Sequence, residues 1–157
     1  AYLAEYCTAP LFADPVSTAK AEKLRGLLGH IHTLKPNRIE AELLSGVQIT
    51  DDKSLRQAAQ ALLAQGLSRV FISLGGDGVL AAQQGEMQLV PVCRAEMCNA
   101  TGAGDAMMAA LVWSFLRNRP LAASATAGTA AAAIAVESEE TINPRMSAEA
   151  VEARLKR

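Results

Sequence analysis

The sequence predicts a layered α/β fold with a mainly parallel sheet and a late hairpin. Three observations predict it. Short apolar runs stopped by proline alternate with helical patterns in the first half of the chain, glycine turns then separate three extended pieces, and long small-residue helices follow.

The elements follow in order. The run "LFADP" reads as a short buried strand stopped by Pro15, and a helix over about Ser17 to Leu28 follows, with Ser17 as its N-cap. "IHTLKP" is a second strand, stopped by Pro36. "NRIEAELLSG" places Ile39, Leu43 and Leu44 at helical spacing before Gly46, which closes the helix. In "DKSLRQAAQALLAQG", Leu55, Ala58, Ala59, Leu62 and Leu63 share one face and Gly66 ends the pattern. "RVFISLGGDGVLAAQQGEMQLVPV" supplies three extended pieces, separated by turns at Gly75-Gly76-Asp77-Gly78 and at Gly85. Helices over about Ala103 to Arg117 and Leu121 to Glu137 come next, then a polar loop and an amphipathic helix from Ser147. The Ala-rich "ATAGTAAAAIAV" carries side chains small enough for close approach of another element or a ligand.

Composition narrows the function. The 157 residues suit one domain, half of them are hydrophobic, and the net charge of -1 gives no electrostatic basis for binding nucleic acid or an anionic membrane. Aromatic residues, 4% of the total, are too few for a base-stacking platform. No apolar run reaches the roughly 20 residues that span a bilayer, and the start "AYLAEYCTAP" lacks the pattern of a secretion signal, so a cytoplasmic location is the default expectation. Cys7, Cys93 and Cys98 are odd in number and widely spread, which suits reduced thiols. His30 and His32 lack a nearby third ligand and read as strand-edge histidines rather than a metal site.

Three places can carry chemistry, because they fall where strands end and helices begin. Gly102-Ala103-Gly104-Asp105 opens a helix: small residues turn backbone N–H groups toward one point, the helix dipole favours an anion there, and Asp105 stands beside it as an acceptor for a substrate hydroxyl. Spacing alone leaves this level with a plain glycine turn in which Asp105 serves the dipole. Met107 stands where a dinucleotide fingerprint needs glycine or alanine, and the chain has no Gly-Lys-Ser/Thr run. In "KPNRIEAE", Asn37 and Glu40 project to one helical face and suit magnesium and its waters, while the same spacing makes a capping box, the reading that pattern alone favours. In "SLGGDGVL", a strand ending at Ser73 runs into glycines that suit either a nucleotide phosphate or a tight hairpin, and turn chemistry favours the hairpin.

Taken together and in this order, "TLKPNRIEAELLSG", "VFISLGGDGVL" and "NATGAGDAMMAAL" resemble the C-terminal half of the ribokinase or PfkB-type carbohydrate kinase family, from "FADPVS" through "INP". The resemblance implies a three-layer α/β/α ribokinase-like fold and ATP-dependent phosphorylation of a primary hydroxyl on a small sugar or nucleoside. It implies that Asp105 is the catalytic base and that Gly102, Ala103 and Gly104 form the anion hole. Asn37 and Glu40 would organise Mg2+ through its water shell; Ser73, Gly75 and Gly78 would lie on the ATP side with the helix around Gly128 and Thr129.

Two departures bear on these expectations. Many family members carry an aspartate six residues before the catalytic one, where it helps to bind a monovalent cation such as K+. Here the residue is Asn99, and a neutral amide makes a weaker cation site. The family's N-terminal half, with its glycine-rich sugar-binding segment and β-sheet lid, has no counterpart in residues 1–157. The chain is therefore expected to be the nucleotide-binding and catalytic part of a longer kinase, opening at a strand that lies inside the complete sheet. In the family that lid often mediates a homodimer.

Overall fold

The computed structural model describes residues 2–156. The chain divides into two compact units. The first runs to Gly75 and takes Val79–Leu89; the second comprises Gly76–Gly78 and the chain from Val90 onward.

The first unit carries the sheet. A short exposed helix, α1 (Tyr2–Tyr6), which the sequence reading did not anticipate, precedes β1 (Phe12–Ala13). Ser17 caps α2 (Thr18–Ala21) as expected, its hydroxyl accepting from the Lys20 N–H. The expected long helix does not continue as α-helix: Glu22–His30 winds as 3-10 turns. Gly26 and Gly29 within that segment weaken α-helical propensity, so tighter turns prevail. Then come β2 (Thr33–Leu34), α3 (Arg38–Ser45), α4 (Asp52–Leu63), β3 (Arg69–Ser73), β4 (Val79–Gln83) and β5 (Glu86–Val90).

The strands lie in the order β1-β2-β3-β4-β5. The first three run parallel, with Phe12 opposite Thr33 and Thr33 opposite Arg69. The next pairing is antiparallel, from Arg69 opposite Gln83 to Ser73 opposite Val79. The sheet is thus mixed, parallel where helices connect the strands and antiparallel where glycine turns do. Within residues 2–156, β1 is a terminal strand of the sheet. Leu55, Ala58, Ala59 and Leu62, the predicted face of α4, are buried with Leu34, Val70, Ile72 and Leu80 of the strands. Val70, Phe71 and Ile72 are consecutive and all buried, so β3 is covered on both faces.

The second unit is helical: α5 (Ala103–Leu116), α6 (Leu121–Val136) and α7 (Ala148–Leu155). α6 packs against both α5 and α7. The small residues of α6 explain how: Ala127, Ala130 and Ala131 form a core with Ala110 and Val151. Gly128 is pressed against α5, where an added Cβ would lie 3.0 Å from Met107 Cγ and 3.6 Å from Leu111 Cδ2. Ion pairs tie the helix ends, Arg154 to Glu137 at 2.6 Å and Arg119 to Glu152.

Candidate active site

In the first unit, polar residues gather at the carboxyl ends of β1 and β2. Each strand is followed by a charged residue and then a proline, Asp14-Pro15 and Lys35-Pro36. Because the strands are adjacent and parallel, the two charges meet: Lys35 Nζ lies 2.7 Å from Asp14 Oδ2, with the lysine 5% exposed. A lysine so far from water needs that partner. The other oxygen of Asp14 accepts the Val16 N–H at 3.1 Å. Val16 sits at φ 65°, a left-handed conformation unusual for a β-branched residue, so one carboxylate holds both the buried cation and a strained turn. The sequence reading missed this pair. Its only signal is the repeated order of strand, charge and proline.

Beside it, α3 starts at Asn37. Asn37 Oδ1 accepts the Glu40 N–H at 2.9 Å, and Glu40 Oε2 accepts the Asn37 N–H at 2.9 Å. The capping box favoured by the pattern is therefore present. Glu40 is 2% exposed, and its second oxygen, Oε1, has no hydrogen-bond partner among the described residues. Ser73, at the end of β3, joins this group: its N–H donates to the Pro36 carbonyl at 2.9 Å, and Asn37 and Ser73 form a parallel bridge.

The glycines after Ser73 form the hairpin connection between β3 and β4, a 3-10 turn over Gly75–Asp77. Gly75 is exposed at the turn. Gly78, in the second unit, has φ 100°, and a Cβ there would fall 2.1 Å from the Val90 carbonyl oxygen. Only glycine fits.

The start of α5 differs from the other side-chain-capped helices. α2, α3, α4 and α7 open on Ser17, Asn37, Asp51 and Ser147, each accepting from a backbone N–H of the first turn. α5 opens on Gly102, at φ 83°, with no side-chain cap. The first helical bond is Ala106 N–H to the Gly102 carbonyl, 2.9 Å, and the N–H groups of Ala103, Gly104 and Asp105 have no acceptor among the described residues. Asp105 is exposed, and its carboxylate makes no hydrogen bond or ion pair among them. An acid at this position that served as a cap would reach back to the Gly102 N–H, and this one does not. Open N–H groups, a helix dipole and an unengaged acid together make a surface that can receive an anion and accept a proton.

Gly128 and Thr129 lie inside helix packing. Gly128 faces α5, and Thr129 is 7% exposed with its hydroxyl donating to the Thr126 carbonyl at 3.0 Å. The expected residues divide between the two units: Asn37, Glu40, Ser73 and Gly75 belong to the first, where contacts join Asn37, Glu40 and Ser73, and Gly78, Gly102–Asp105, Gly128 and Thr129 belong to the second. His32, at the opposite, amino-terminal end of β2, stacks on Phe12 at 5.6 Å. Burial, and secondarily the Arg69 guanidinium, hold its pKa below the ordinary 6.5. No cluster of His, Cys, Asp and Glu among the described residues could by itself hold a metal ion.

The chain belongs to the pfkB family of carbohydrate kinases, whose profile matches residues 3–148. It is 40% identical to pseudouridine kinase of Escherichia coli over 139 residues, covering 88% of this chain and 44% of that protein. A solved structure from Clostridium perfringens matches with a TM-score of 0.94 at 34% identity, over 99% of this chain and 50% of that one. The ribokinase of Thermotoga maritima matches with a TM-score of 0.84 at 28% identity, over 99% of this chain and 52% of that one. The fold is therefore ribokinase-like, and the chain spans about half the length of the relatives it matches. The family consists of phosphotransferases with an alcohol acceptor. No described helix is long and apolar enough to cross a membrane.

Proposed function

We propose that this chain forms the nucleotide-binding and catalytic part of an ATP-dependent kinase that phosphorylates the ribose 5'-hydroxyl of pseudouridine, acting in the cytoplasm. The observation that carries the chemistry is the start of α5, where Asp105 has no structural bond to make and the preceding N–H groups have no acceptor. The similarity to pseudouridine kinase supports the acceptor.

In this reading Asp105 accepts the proton of the attacking hydroxyl as its oxygen bonds to the transferring phosphorus. The backbone at Gly102, Ala103 and Gly104 stabilises the charge spread over the phosphoryl oxygens. Asn37 and Glu40 would hold the water shell of magnesium. Glu40 fits both tasks, since Oε2 closes the capping box while Oε1 is left to accept from a water. Magnesium bound with the nucleotide supplies neutralisation of phosphate charge. Ser73, Gly75 and Gly78 are assigned to the ATP side, and the helix around Gly128 and Thr129 supports it. The intact protein would pair as a homodimer through its lid.

A free-sugar acceptor such as ribose is the second reading, favoured by the match to the Thermotoga ribokinase. Mg-ATP turnover by the full-length protein, measured against pseudouridine, uridine, ribose and keto-sugars, tests both. Preference for pseudouridine is expected. Preference for a free sugar would replace the first reading with the second.

A further inference from the structure

One side chain fastens the segment that leads into α5. Asn99 Oδ1 accepts the Thr101 N–H at 2.9 Å, and Asn99 Nδ2 donates to the Glu139 carbonyl at 3.2 Å. Its own backbone N–H donates to the Val136 carbonyl at 3.2 Å. Farther along, Gly102 abuts Thr141 so closely that a Cβ would lie 2.8 Å from the Thr141 carbonyl oxygen. Residues 99–102 are thus held to residues 136–141 at both ends. The amide orientation is dictated by its neighbours: a backbone N–H requires the oxygen, and a carbonyl requires the NH2.

An aspartate at this position could still accept from the Thr101 N–H. Its second oxygen would then face the Glu139 carbonyl at the same distance, acceptor against acceptor with no proton between them. Such a pair needs a cation to bridge it. Asn99 supplies an N–H instead, so the Glu139 carbonyl faces a donor rather than a second acceptor, and no carboxylate charge is present to draw a cation. The residues here do not fit a monovalent cation.

We infer that Asn99 takes the place of the monovalent cation, fastening the start of α5 through its own amide, and that catalysis is independent of potassium. The catalytic half of this inference rests on the proposed kinase activity; the structural half does not. The test uses the full-length protein and its Asn99→Asp and Asn99→Ala variants, each in KCl or tetramethylammonium chloride at equal ionic strength. Thermal melting and Mg-ATP turnover are read in parallel. The parent protein should melt and turn over alike in both salts. Asn99→Asp should melt lower in tetramethylammonium and recover in KCl, whereas Asn99→Ala should melt lower in both. Potassium raising the melting temperature or turnover of the parent protein would overturn the inference, as would an Asn99→Asp variant indifferent to the salt. Absence of turnover under every condition would count against the kinase reading, while the melting data would still decide the role of Asn99.

Discussion

Glu40 reaches back across the first turn of α3 to the N–H of Asn37, and the Asn37 amide returns the bond, both at 2.9 Å. Gly102 and Asp105 have the same spacing at the start of α5 and make neither bond. One acid is tied into the backbone and the other is not, which sets different expectations for their substitution.

Glu40→Gln retains an oxygen for the Asn37 N–H and removes the charge; Glu40→Ala removes both. The alanine variant should lose stability on the scale of a lost helix cap, about 0.5–2 kcal/mol, while the glutamine variant stays close to the parent. Both should lose turnover, with a raised magnesium requirement in the glutamine variant. Urea denaturation and magnesium-dependent kinetics separate the two effects, and equal stability of parent and alanine variant would show that the box contributes nothing.

Asp105→Asn should behave in the opposite way. With no bond to lose, its melting temperature should match that of the parent. Turnover should fall by about 10²- to 10⁴-fold, the usual cost of removing a positioned base. Retained activity would remove Asp105 from the mechanism.

Gly102→Ala tests the helix start itself. The left-handed φ of 83° and the 2.8 Å approach of a Cβ to the Thr141 oxygen act together. A destabilisation of about 1–3 kcal/mol is expected from such backbone strain. Equilibrium denaturation measures it, and a neutral result would show that the segment shifts freely.

Much of this was legible in the sequence, for reasons that differ by residue. Prolines marked the ends of β1 and β2, glycines marked the turns on either side of β4, and the face of α4 followed from its period. Asn37 and Glu40 announced their cap because both side chains carry acceptors at the right spacing. Gly102 could not announce an uncapped start, since an absent side chain reads the same in a plain turn. The Asp14–Lys35 pair was hidden for another reason: the repeated order of strand, charge and proline marks both residues, but their meeting depends on strand adjacency, which that local order does not encode. The 3-10 winding of Glu22–His30 was equally hidden, because apolar spacing does not distinguish it from an α-helix over so few turns.

His32 gives the first unit a pH dependence. Its pKa is lowered in the folded chain, so the unfolded chain binds the proton more readily. Stability is full above 6.5 and is lost as pH falls through that value toward the folded pKa, below which the loss levels off. Melting temperatures between about pH 7.5 and 5.5 should therefore decline, and His32→Gln should flatten that part of the curve. An unchanged slope in the variant would assign the decline to other groups.

The contact between Gly128 and Met107 reaches farther than packing. Met107 stands two residues after Asp105 on α5, and what it meets across the helix interface is a hydrogen atom where any other residue would place carbon. Side chains of increasing size at position 128 would act as a graded wedge, displacing α5 and with it the acid proposed as the base, without touching it. In the mechanism proposed above, such a series should lower kcat progressively while KM holds, and the spacing of two helices would then be an adjustable setting of the chemistry.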